Sequence, residues 1–123
     1  MISKLDIRPK LELTAIGRTE GFQNVTLRPI LKLQHDIFIL MYRNWAEKHR
    51  VKLVSINQDE FSNILENSFS RNNVVKNQLL GIVIGQFTVN EFEEYKLESS
   101  EYNKRIFTMI KKRLFDSFEE LKS

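Results

Sequence analysis

Residues 26–50 read TLRPILKLQHDIFILMYRNWAEKHR, and their apolar side chains recur at Leu27, Ile30, Leu31, Ile37, Phe38, Met41, Tyr42 and Trp45. Steps of three and four mark one face of a helix. Thr26 suits an N-cap, and Pro29 falls in the first turn, where a missing amide donor costs nothing. The spacing predicts a helix from Thr26 to Arg50, ~36 Å long at 1.5 Å per residue. Ile37 to Tyr42 is apolar on every side, which suits a central helix covered all round.

Downstream, Ser55 with Gln58 or Asn57 with Glu60 offers a capping box for a helix lined by Phe61, Ile64, Leu65 and Phe69. Asn72-Asn73 interrupts it, and residues 73–87 form a second strongly apolar segment, read as a buried helix in preference to a strand because no partner strand of similar quality exists. Thr88-Val89-Asn90-Glu91 has the form of a capping box for a short helix. Ser99 or Ser100 is placed to cap a last helix whose apolar face runs from Ile106 through Leu114 to Phe118. The expected fold is all-α, about five helices packed around the long helix and the 73–87 helix. Its core is expected to hold Leu31, Phe38, Met41, Trp45, Ile64, Leu65, Leu79, Val83, Ile106, Ile110 and Leu114. Residues 1–21 read as an irregular arm, mobile or packed on a neighbour, and 22–123 as one helical domain.

Composition narrows the classes of function. The 123 residues carry 19 Lys+Arg, 16 Asp+Glu and no cysteine, which excludes thiolate zinc sites, iron–sulfur clusters and cysteine nucleophiles. No apolar run approaches the ~20 residues of a membrane span, so a cytoplasmic protein is expected. His35 and His49 are the two histidines. On one helix they stand ~21 Å apart and cannot share an ion, although His35-Asp36 offers half of a site across a dimer. No P-loop, Gly-x-Gly-x-x-Gly or Gly-x-Ser-x-Gly occurs, so no catalytic, cofactor-binding or metal-binding residue is assigned, and no cofactor.

Three residue sets remain. Gln34 and Gln86 fall within apolar stripes and, with Asn103, are expected to form a polar core network or a small pocket. Lys104, Arg105, Lys111, Lys112 and Arg113 form a potential basic surface, the basis of a nucleic-acid-binding alternative. Gly81 and Gly85 share a helix face and are expected to admit a close neighbouring backbone. The acidic run from Glu91 to Glu101 fits helix-dipole pairing, with Glu101 placed to meet Arg105. A helix longer than the ~28 Å diameter of such a domain, together with nine Phe, points to a homodimer. The reading that composition favours is a non-catalytic interaction or scaffold module with an unidentified protein partner, ahead of nucleic-acid binding or an enzyme of unrecognised type.

The segments Leu27-Arg28-Pro29-Ile30-Leu31-Lys32-Leu33-Gln34 and Asn77 to Thr88, with Phe22-Gln23-Asn24 and Ser99 to Arg105, resemble a family of short uncharacterised bacterial proteins sometimes labelled glyoxalase. The resemblance covers residues 22–121 and implies no active-site residue. Glyoxalase I-type enzymes are built from paired βαβββ modules with His and Glu ligands on strands, so the label does not suit a chain with two histidines on one helix.

Overall fold

The computed structural model describes residues 18–70 and 74–123, and their regular structure is helical throughout. The chain runs through α1 (Arg18–Phe22), a π-helical turn (Gln23–Leu27), α2 (Arg28–Leu33), α3 (His35–Lys48), a 3₁₀ turn (Leu53–Ser55), α4 (Gln58–Ser68), α5 (Val74–Gly85), α6 (Val89–Leu97), α7 (Ser99–Asp116) and α8 (Phe118–Lys122). The all-α expectation holds. Residues 1–17 and Asn72-Asn73, where an arm and a helix break were expected, lie outside the described residues, whereas residues 18–21 of that arm are helical.

The long helix is not one straight rod. The backbone is already helical at Arg18, so Thr26 lies inside helical structure and is not an N-cap. Pro29 has no N–H to offer and its ring crowds the carbonyl four residues back, and the backbone answers with a π turn in which the Arg28 N–H reaches the Gln23 carbonyl. A second irregularity falls at Gln34, whose φ of −95° and ψ of 11° leave the α region. Helical hydrogen bonds still bracket it, from Gln34 N–H to Ile30 (2.9 Å) and from Phe38 N–H to Gln34 (3.1 Å), so the axis bends without reversing. α3 ends in a Schellman motif. Val51 N–H bonds the Ala46 carbonyl and Arg50 N–H the Glu47 carbonyl, with Arg50 at a φ of 57° where glycine is usual.

Local capping chemistry sets two helix starts. Asn57 and Glu60 exchange hydrogen bonds at α4, as do Thr88 and Glu91 at α6. α7 starts at Ser99 with Glu98 as its cap residue and no side-chain cap, so neither expected serine caps it. Glu98 and Tyr102 already continue the hydrogen-bonded chain there.

α7 is the packing axis, laid against α4, α5 and α6, while α3 contacts α5 and α8. Leu31, Phe38, Leu65, Leu79, Val83, Ile106, Ile110 and Leu114 are buried as expected. Met41 and Trp45 are only partly covered, and so is Ile64. The aromatics are largely consumed internally. Phe22, Phe87, Tyr95 and Tyr102 form one cluster, and Phe61 stacks on Phe118 at 4.6 Å and faces Phe115 and Tyr42.

Candidate functional site

The stretch expected to be covered all round is covered on one side. Phe38, Ile39 and Tyr42 point into the core, while Ile37 is 44% and Leu40 57% exposed. Ile37 and Leu40 are one turn apart and share a face with half-covered Met41. The helix carrying them is rigidly held. Tyr42 is fully buried and donates its hydroxyl to Ser68 Oγ (2.7 Å), which in turn donates to the Leu65 carbonyl (2.8 Å). Burial raises the Tyr42 phenol to about 12, against a smaller lowering effect of the Ser68 contact.

His35 starts α3 and is half-buried. Arg113 Nη1 donates to its Nδ1 (3.2 Å), so the proton sits on Nε2, which donates to Glu120 Oε1 (3.0 Å). The ligand atoms of His35, Asp36 and Glu120 lie within 4.8 Å of one another. In this arrangement neither ring nitrogen has a lone pair to offer a cation. The sequence offered His35-Asp36 as half of a site across a dimer; the contacts with α7 and α8 were out of reach because Arg113 and Glu120 are distant in the chain. His49 is separate, stacked on Trp45 at 4.7 Å, with Nδ1 2.9 Å from the Trp45 carbonyl.

The five expected basic-surface residues do not act together. Lys111 crosses to Glu66 on α4 (3.2 Å), Lys112 pairs with Asp116 (2.9 Å), and Arg105 donates to Gln23 (2.9 Å) and faces Glu101 at 3.9 Å, the expected pairing. Arg113 holds His35, and burial lowers its guanidinium from the usual range. Lys104 is exposed. Lys112 and Arg113 instead join Arg28 and Lys32 of α2 along a groove between α2 and α7, about 550 Å³ in volume. Arg28 and Lys32 went unnoticed as part of a basic site because nothing in the sequence pairs α2 with α7.

The three amides are apart. Gln34 sits at the bend between α2 and α3, Gln86 after the end of α5, and Asn103 within α7, where it accepts the Tyr95 hydroxyl at 2.5 Å. Each is half-buried, not buried. Gly81 and Gly85 are exposed and a Cβ on either would meet nothing within 4 Å, so the expected close helix approach is absent there. Within the acidic run, Glu91 accepts from Thr88 N–H (2.8 Å) and from the buried Thr26 hydroxyl (3.1 Å), and Glu94 accepts from Tyr102 (2.9 Å). Thr26, expected as a cap, thus ties the π turn to α6.

No family model matches the chain. No solved structure matches it. Among curated proteins it is similar to "Conserved oligomeric Golgi complex subunit 6" of Meyerozyma guilliermondii, 27% identical over 116 residues, which is 90% of this chain and 16% of that protein. The chain therefore spans about one-sixth of the length of the relative it matches. No helix among the described residues is long and apolar enough to cross a membrane.

Proposed function

We propose that this chain is a non-catalytic module that works by contact with other proteins as part of a larger assembly. The observation that carries the reading is the outward face of α3, where Ile37 and Leu40 stand exposed on a helix whose opposite face is locked into the core. Adjacent large apolar side chains on a rigid element mark a contact surface, whereas isolated ones do not. The likeness to a protein named as a complex subunit supports it. The titratable groups with shifted behaviour, Tyr42 and Arg113, have structural partners in Ser68 and His35, which fits a binding role better than acid–base work.

A second copy of the chain is one candidate occupant of the α3 face. The premise that an over-long helix must project from the domain does not apply, because the bend at Gln34 divides it. Two measurements test the reading. Ile37→Lys with Leu40→Lys should abolish co-purification of the protein that accompanies the wild-type chain from its source cells, with the circular dichroism spectrum unchanged. If the partner is another copy, light scattering should show a dimer that the double variant reduces to a monomer. Retention of every partner by the double variant would refute the α3 face.

A further inference from the structure

The groove between α2 and α7 carries a charge imbalance. Four cations line it, Arg28, Lys32, Lys112 and Arg113, against one carboxylate, Asp116, which is already paired with Lys112. Among the described residues Arg28, Lys32 and Arg113 have no carboxylate partner; Arg28 donates to Asn24 (2.8 Å) and Arg113 to His35. Between the cations lie two apolar side chains, Leu31 buried on α2 and Met109 partly covered on α7, beside the polar Gln23, Thr108 and Ser117. From Thr108 to Ser117 the α7 wall runs ~14 Å at 1.5 Å per residue.

We propose that this groove binds an acidic segment of a partner protein, one in which carboxylates alternate with apolar side chains. Charge complementarity selects the sign of the occupant, since three cations without a carboxylate partner attract carboxylates, and guanidinium forks match carboxylate geometry. The two apolar side chains and the length select a peptide over a small anion. A free phosphate reaches one end of a ~14 Å groove, whereas four or five extended residues reach both. No aromatic side chain lines the groove among the described residues, so it lacks the stacking platform that single-stranded nucleic acids use. The proposal deepens the protein-contact reading and rests on it, but concerns a different surface from the α3 face.

The test uses the full chain and a fluorescein-labelled peptide with the repeat Leu-Glu, read by fluorescence anisotropy. The wild type should bind it, more weakly as salt rises. Arg28→Gln with Lys32→Gln removes two exposed cations whose loss leaves the core intact, and should raise Kd about tenfold. Lys48→Gln with Lys104→Gln removes equal charge outside the groove and should change Kd less than about twofold. Met109→Ala should weaken binding at all salt concentrations, separating the apolar contribution from the ionic one. Absence of peptide binding, or equal losses in the two charge doubles, overturns the proposal. So does a DNA strand of equal charge that binds more tightly and is lost in the same variants. Any of these outcomes, with co-purification through Ile37 and Leu40 intact, removes the groove and leaves the module reading standing.

Discussion

Tyr42 shows how a single residue can control stability while escaping notice in the sequence. Its partner Ser68 lies 26 positions away, on a helix whose serines look like ordinary surface residues. With the hydroxyl pair fully enclosed, Ser68→Ala strands the phenol and should cost about 1 to 3 kcal/mol in urea unfolding. The pH dependence has a defined sign. The folded-state phenol titrates at about 12, above the ordinary value of 10.0, so its contribution is fully present below pH 10 and is lost as pH rises through 12. Two units correspond to about 3 kcal/mol. Tyr42→Phe should flatten that part of the alkaline stability curve, and an unchanged slope would show that another group governs it. Arg50 is strained for a simpler reason: a side chain in the left-handed region crowds its own carbonyl. Arg50→Gly should therefore stabilise the protein by about 0.5 to 1 kcal/mol, read as a rise in the urea midpoint.

Among the elements, legibility followed the range of the chemistry. The Asn57–Glu60 and Thr88–Glu91 boxes were readable because each is closed within four residues. Thr26 misled because its hydroxyl answers to Glu91, 65 residues on, and because a spacing of three and four does not reveal the extra residue of a π turn ahead of Pro29. Gln34 carried no proline or glycine to announce the bend; the anchors are Arg113 and Glu120, which hold His35 against α7 and α8. The caps give a contrast that thermal or urea unfolding can check. Thr88→Ala should cost about 1 kcal/mol. Ser99→Ala and Ser100→Ala, at exposed positions that make no cap, should stay within about 0.5 kcal/mol. A loss at Ser99 equal to that at Thr88 would mean that α7 is capped by a serine after all.

For the whole molecule, the helical class and eight of the eleven expected core positions were legible because periodic apolar residues of α4, α5, α6 and α8 pack against α7. The outward faces were not. Ile37 and Leu40 belong to a stretch that is apolar all round, and hydropathy alone cannot say which side meets the core. Gly81 and Gly85 were read as a notch, yet face outward with open space above them. The basic residues of α7 looked like one surface and are divided among Glu66, Glu101, Asp116, His35 and the α2 groove. The proposed contact role thus rests on which side chains the fold leaves outside. Hydrogen–deuterium exchange of the chain, free and in its purified assembly, tests that most directly. The account predicts slowed exchange across α3, residues 35–48, on assembly, lost in the Ile37→Lys, Leu40→Lys double variant. Unchanged exchange in α3 within an intact assembly would contradict it.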